Sequence, residues 1–258
     1  MEKVLSGQTA VITGASGGLG AHFARVLAGA GAAVAVTARR LDMVEALAGE
    51  IAAEGGRAMA LRLDVADAHA IAPAFDEIET ALGPISILVN NAGVGGEGLA
   101  LDLSIEDWDR TFDVNVRGVF FAAQAAARLM LANGTAAAGQ ARIINIASIA
   151  SFTVLPGLSA YNASKSAAAM LTKSLAREWS RKGIAVNGIC PGYIETDINS
   201  AWFKEEGGQK QMKGFPRRRL MEASDLDAPL LMLAGPAARA ISGALFTIDD
   251  GQSLPGGG

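Results

Sequence analysis

Seven short apolar runs punctuate the chain, at residues 9–12, 33–37, 58–63, 85–89, 143–147, 184–189 and 245–248. Within each run apolar residues follow one another with little alternation, as in strands covered on both faces. Longer stretches rich in Ala and Leu lie between them, with helical spacing. Residues 159–181 are the clearest of these: free of Gly and Pro, with Ala163, Ala167, Met170, Leu171 and Leu175 on one face. Short strands alternating with helices predict an α/β fold, a doubly wound parallel sheet of seven strands with helices on both faces. No linker or repeat divides the chain, so residues 1–258 are expected to form a single domain. Two segments break the rhythm. Residues 133–140 (NGTAAAGQ) read as a surface excursion, and residues 199–219 are polar and uneven, closing on Arg217-Arg218-Arg219.

Composition narrows the function. Half of the 258 residues are hydrophobic, enough for a substantial core. A net charge of −4 with dispersed basic residues argues against a nucleic-acid surface. No apolar run approaches membrane-spanning length, and the first residues lack a signal-peptide core, so a cytoplasmic location is expected. A single cysteine, Cys190, fits a reducing compartment and reads as a buried, inert strand residue. His22 and His69 read as helix-surface residues without acid partners at ligand spacing, so no metal is expected.

Candidate chemistry begins at Tyr161 and Lys165. Four residues apart on one helix, their side chains share a face, and Ser148 lies one loop upstream. A tyrosine titrating near 10 is a poor acid or base at neutral pH. An ammonium about 4 Å away is worth about 4 kcal/mol at an effective dielectric near 20, which would move the phenol close to 7. A phenol so tuned passes a proton to or from an alcohol oxygen. The other half of a reaction sits near the N-terminus, where the strand at 9–12 runs into Gly14-Ala15-Ser16-Gly17-Gly18-Leu19-Gly20 and then a helix. Strand, glycine turn and helix make the setting in which backbone amides and a helix N-terminus receive a pyrophosphate.

Further motifs follow in order: Asp64 after the third run, Asn90-Asn91-Ala92-Gly93 after the fourth, Asn115 within Val-Asn-Val, Ser148 after the fifth, and Pro191-Gly192-Tyr193-Ile194-Glu195-Thr196 after the sixth. In this arrangement the chain resembles the short-chain dehydrogenase/reductase family over nearly its whole length. The resemblance implies a Rossmann-like fold and an enzyme that moves a hydride between a nicotinamide dinucleotide and a ketone or secondary alcohol. It implies Tyr161 as acid/base, Lys165 as its electrostatic partner and ribose ligand, Ser148 as holder of the substrate oxygen, and Asn115 as the residue that positions a relay water. On the cofactor side it implies Gly14, Ser16, Gly18, Leu19 and Gly20 at the phosphates, Asp64 and Val65 at the adenine, and Asn91 and Gly93 beneath the ribose. Pro191, Gly192, Ile194 and Thr196 fall near the nicotinamide. The segment 199–219 corresponds to the family's lid.

Cofactor choice turns on the end of the second strand. An acidic residue there would bind a ribose 2′-hydroxyl and repel a 2′-phosphate. Here the position is Ala38, followed by Arg39 and Arg40, which favours NADP(H) over NAD(H). Val94, Phe152, Leu155, Tyr193, Trp202 and Phe203 are expected to line the substrate pocket, which suits a ketone with apolar substituents. Two alternatives stay open. One is a 3-oxoacyl thioester reductase, suggested by Ser174-Leu-Ala-Arg-Glu and the Pro-Gly-Tyr-Ile-Glu-Thr-Asp phrase; the other is a non-catalytic NADP(H)-binding sensor. The resemblance also implies a homotetramer, or a homodimer, assembled on the helices around Asn115 and Tyr161.

Overall fold

The computed structural model describes residues 3–95, 98–195 and 200–254. Its sheet contains seven parallel strands in the order β3-β2-β1-β4-β5-β6-β7. They are β1 Thr9–Thr13, β2 Ala33–Ala38, β3 Arg57–Arg62, β4 Ile85–Asn90, β5 Ala141–Ile146, β6 Ile184–Pro191 and β7 Leu245–Ile248. Each expected strand is present, its ends displaced by two residues or fewer. In β5 the displacement has a cause: Arg142 interrupts the apolar run, yet the strand extends back through it and buries it.

The helices divide between the two faces. On one face α1 (Gly18–Gly29), α2 (Leu41–Ala53) and α9 (Asp227–Ala234) close a core holding Phe23, Leu27, Val36, Ile87, Leu230 and Leu233. On the other, α3 (Ala68–Leu82), α5 (Val119–Ala132) and α6 (Ser159–Trp179) close a core holding Phe75, Ile78, Leu88, Met130, Ile143 and Leu175. Each such side chain contributes about 1.5–3 kcal/mol on full burial, and the polar residues buried in the inner strands, such as Thr13, Thr37, Asn90 and Asn145, are hydrogen-bonded. Edge strand β3 is covered incompletely and carries Arg57 and Arg62 at its exposed ends. Winding proceeds outward from β1 to β3, then restarts at β4 in the opposite direction. The loops after β1 and β4 therefore diverge, leaving a crevice at the carboxyl ends of the strands.

Two local expectations are corrected. Residues 133–140 form a surface excursion only in part: Gly134, Ala137, Ala138 and Gln140 are exposed, but Thr135 and Ala136 are buried, and Asn133 and Thr135 both donate to the Ile85 carbonyl. The small residues let this turn fold back over the start of β4. His22 is not without a partner either, because its Nε2 lies 2.5 Å from Asp227 Oδ1, where α1 meets α9. That acid is remote in sequence, so local spacing could not disclose it.

One buried polar network ties the elements that will carry the site. Asn90 at the end of β4 donates to Asn145 Oδ1 on β5 at 2.9 Å and to the Val119 carbonyl at the start of α5 at 3.1 Å. Asn145 in turn donates to Thr172 on α6 at 2.9 Å, and Thr172 donates to the Ala168 carbonyl. Asn90, Asn145 and Thr172 are all essentially inaccessible to water. Asn145→Ala would strand one N–H of the Asn90 amide, the other still bonded to Val119, and one acceptor capacity of Thr172, each unpaired buried group costing about 1–3 kcal/mol. Urea unfolding should show a loss of about 2–4 kcal/mol; a loss below about 0.5 kcal/mol would contradict the network's role.

Candidate active site

A cleft of about 730 Å³ opens along the switch point, lined from the loops after β1, β2, β3, β4, β5 and β6. At one end the floor is bare backbone. Gly14 has φ +68°, and a Cβ there would lie 2.7 Å from Ala92 Cα, so only glycine lets the first turn lean on the fourth. A Cβ on Gly17 or Gly18 would meet nothing within 4 Å, which leaves room over the turn. Helix α1 begins there with no side-chain cap, so its first N–H groups are available to a ligand. This donor set fits the pyrophosphate of a dinucleotide.

The remaining residues expected at that end are brought together. Asn91 holds the turn itself, donating from Nδ2 to the carbonyls of Thr13 and Gly14 at 3.0 and 3.1 Å. Asp64, Val65, Leu19, Gly20 and Gly93 line the wall, and the Asp64 carboxylate accepts from Ala66 N. Arg39 and Arg40 follow β2 and face the cleft, with Arg40 Nη2 donating to Ser16 Oγ at 3.1 Å. Two guanidinium groups beside Ala38 therefore stand where a carboxylate would exclude a ribose phosphate. Arg110 and Val114 also line this region and were not expected. Val114 had a signal in its place beside Asn115, whereas nothing in the sequence around Arg110 points to the cleft.

At the other end Ser148, Tyr161 and Lys165 converge. Ser148 follows β5 with extended backbone, and its Oγ accepts from Ala150 N at 3.1 Å. Its hydroxyl is also hydrogen-bonded with the Tyr161 phenol. Lys165, one turn along α6, donates from Nζ to the Ile146 carbonyl at 2.9 Å and lies 5.6 Å from the centre of the Tyr161 ring. Asn115 sits in a π-helical turn, Asp113–Gly118, between α4 (Ile105–Phe112) and α5. Such turns recur at functional sites. Its side chain accepts from Val94 N and donates to Val94 O, both at 2.9 Å, and donates to Ser164 Oγ at 3.0 Å. Asn115 is thus a positioning residue that pins the β4 loop to α6.

The expected tuning of the phenol is corrected by these surroundings. Burial raises the Tyr161 phenol above its ordinary value, the Ser148 hydrogen bond opposes that rise, and the Tyr193 phenol nearby adds to it. The ammonium of Lys165 points at a carbonyl rather than at the phenolic oxygen. Burial also holds Lys165 down to about 8. Helix spacing placed the two groups correctly, but desolvation outweighs their attraction. Cys190 lies behind them fully buried, its thiol pushed up to about 11.

The substrate side is only partly as expected. Val94, Leu155, Tyr193, Pro191, Gly192 and Ile194 line the cleft, joined by Leu158 from the same loop as Leu155. Phe152 and Trp202 do not line it and are 54% and 46% exposed, and the Trp202 indole, on α7 (Ser200–Lys204), donates to Gln211 Oε1 at 2.9 Å. Phe203 is buried instead, packed edge-on against Tyr193. Thr196 and Asn199 lie outside the described residues. Among the described residues no cluster of three or more His, Cys, Asp or Glu could hold a metal, and no helix is long and apolar enough to cross a membrane.

Lys165 gives the site a stability signature. It titrates near 10.5 when unfolded and near 8 in the fold, so between those values the unfolded chain binds the extra proton. Below about 8 the buried ammonium costs up to about 3 kcal/mol, and this cost fades as pH rises toward 10.5. Lys165→Met should raise Tm by a few degrees at pH 7 and by much less at pH 10, read by calorimetry. An unchanged or lower Tm at pH 7 would contradict the cost assigned to this amine.

The geometry agrees with the chain's relatives. A family model described as short chain dehydrogenase matches residues 8–207. Gluconate 5-dehydrogenase of Gluconobacter oxydans is 34% identical over 251 residues, covering 97% of this chain and 96% of that protein. The 3-oxoacyl-[acyl-carrier-protein] reductase of Synechocystis is 34% identical over 252 residues, covering 97% and 98%. The solved gluconate 5-dehydrogenase of Burkholderia cenocepacia, in complex with NADP and tartrate, superposes with a TM-score of 0.92 at 36% identity, covering 99% of this chain and 98% of that one. The doubly wound sheet is common to this chain and that structure, and the chain belongs to the short-chain dehydrogenase family of oxidoreductases acting on CH–OH and C=O groups.

Proposed function

We propose that this protein is an NADP(H)-dependent oxidoreductase that interconverts a ketone and a secondary alcohol. The observation that carries the reading is one cleft with two chemically distinct ends, two arginines beside a bare glycine turn at one and the Ser148–Tyr161 hydroxyl pair at the other. A bound NADPH would supply the hydride that the carbonyl carbon receives. Gly14, Ser16, Gly18 and the start of α1 would hold its pyrophosphate, and Arg39 and Arg40 its ribose phosphate. Crystals of the Burkholderia relative contain NADP, which supports that choice.

The chain's own residues handle the proton. Ser148 Oγ–H donates to the carbonyl oxygen and stabilises the charge that develops there. Tyr161 then transfers its phenolic proton to that oxygen, and the phenolate left behind is supported by the Lys165 ammonium and the Ser148 hydroxyl. A phenol raised above its ordinary value is protonated at neutral pH, which suits this direction. In alcohol oxidation the same groups run in reverse. Val94, Leu155 and Leu158 offer apolar surface to a substituent on the carbonyl.

Ketone reduction requires both Tyr161 and Lys165 protonated. Its kcat should be level between pH 6 and 7 and fall as pH rises through about 8. Tyr161→Phe should lower kcat by at least about 1000-fold while leaving NADPH binding within about threefold, by stopped-flow and fluorescence titration. Retained turnover would refute the assignment. NADPH bound tightly with no ketone reduced by the natural protein would favour the sensor reading instead. Arg39→Ala should raise the KM for NADPH by about 10–100-fold, against little change for NADH, since one charge-assisted contact to phosphate is worth about 1.5–3 kcal/mol. Equal effects on both nucleotides would remove the basis for choosing NADP(H).

Reduction of a 3-oxoacyl thioester is a second reading, favoured by the likeness to the Synechocystis reductase. A β-ketoacyl thioester in the same assay separates it from simple ketone reduction. We further propose a single domain working in a reducing cytoplasm, for which the lone buried thiol is the support. Exposed Leu131 on α5 and Met170 on α6 support a homotetramer or homodimer built on those helices.

A further inference from the structure

The wall opposite the apolar loop has a different character, set by Tyr193. Its ring is stacked on Phe215 at 5.4 Å between centroids and edge-on to Phe203 at 5.6 Å. Its backbone N–H donates to Gln252 Oε1 at 2.6 Å. Ring and backbone are therefore fixed by the lid and by the turn after β7. The Tyr193 hydroxyl is hydrogen-bonded by the Gln211 side chain, from lid helix α8 (Glu206–Lys213). Gln211 Oε1 already accepts the Trp202 indole N–H, which can only donate. The bond from Gln211 favours the ionised form of the phenol, as a bond donated to its oxygen does, so it runs from Nε2 into the phenolic oxygen. That leaves the phenolic proton of Tyr193 free to point elsewhere, and the side chain lines the cleft alongside Tyr161.

We infer that Tyr193 is a specificity-determining residue whose hydroxyl, oriented by Gln211, donates a hydrogen bond to a second oxygen on the substrate beside the reacting carbonyl. This rests on the ketone–alcohol reading above and deepens it. The substrate class it names is a hydroxyketone and the matching vicinal diol, with the carbon chain running toward Leu155 and Leu158 and the second oxygen toward Tyr193. Nothing else at this end of the cleft, among the described residues, offers a neutral side-chain donor apart from Ser148 and Tyr161, which serve the carbonyl oxygen itself. Trp202 and the Phe203–Phe215 pair act through Tyr193 and Gln211, so the lid reads the substrate without touching it.

The test compares 1-hydroxy-2-butanone with its isostere 3-pentanone, using NADPH oxidation by the full chain. The ratio of the two kcat/KM values is the readout. The natural protein should favour the hydroxyketone by about tenfold, within the range for one neutral hydrogen bond. In Tyr193→Phe the ratio should fall to within about twofold of unity. Gln211→Glu is the sharper variant. It keeps the acceptor for Trp202 but turns the donor toward Tyr193 into an acceptor, drawing the phenolic proton away from the cleft, so the ratio should fall as in Tyr193→Phe. A structural role alone would lower both substrates together and leave the ratio unmoved, which would overturn the inference. So would a natural ratio near unity, or one preserved in both variants. Turnover of neither ketone by the natural protein would overturn the underlying reaction, and this inference with it.

Discussion

Burial of two ionisable side chains at the inner end of one cleft governs the rest of this structure. Lys165 and Tyr161 lie where water is scarce, and each responds by favouring its uncharged form, the amine pulled down to about 8 and the phenol pushed up. A neutral phenol is a proton donor, and a lysine that still holds its proton at pH 7 stands ready to support the phenolate that donation creates. The fold accepts a destabilising amine in exchange for that readiness. Stabilisation comes from elsewhere, chiefly from two apolar cores that cover the sheet on both faces.

Holding such groups in register demands a rigid frame. The Asn90–Asn145–Thr172 network joins β4, β5 and α6 at the depth of the site. Asn115 then pins the loop after β4 to α6 through Val94 and Ser164. Ser151 adds a bond to the Lys165 carbonyl, tying the turn that follows Ser148 to the helix carrying Tyr161. The elements that supply the reacting groups are thus cross-linked by buried or part-buried hydrogen bonds. The substrate side is built differently, on the aromatic packing of Tyr193 against Phe203 and Phe215, and touches the proton chemistry through the Tyr193 phenol that helps to raise Tyr161.

Much of this was legible in the amino-acid order. Strands covered on both faces are mainly apolar, so their positions show as runs, and the glycine turn and the four-residue step from Tyr161 to Lys165 are local. What was hidden depends on tertiary neighbours. The direction in which the phenol shifts is set by what packs around it, and helix spacing carries no record of desolvation. Asp227 reaches His22 across two helices, and the turn at 133–140 folds inward at Thr135 only because Ile85 offers a carbonyl there. Arg142 stands just before the apolar run at 143–147 but is buried within β5, its Nε without a partner among the described residues; nothing in the structure explains why a cation occupies that position. Gln211 and Gln252 carry no local sign of a role at the site, since their partner Tyr193 is distant in sequence.

The chain contains two tyrosines, Tyr161 and Tyr193, and burial raises both. An ultraviolet titration of the cofactor-free protein, with Tyr161→Phe as reference, therefore isolates the phenol at the centre of the account. No tyrosinate assigned to Tyr161 should form below pH 10.0, the ordinary value for the side chain. Ionisation of Tyr161 near pH 7 would contradict the account, because the residue would then enter ketone reduction without the proton it is required to give.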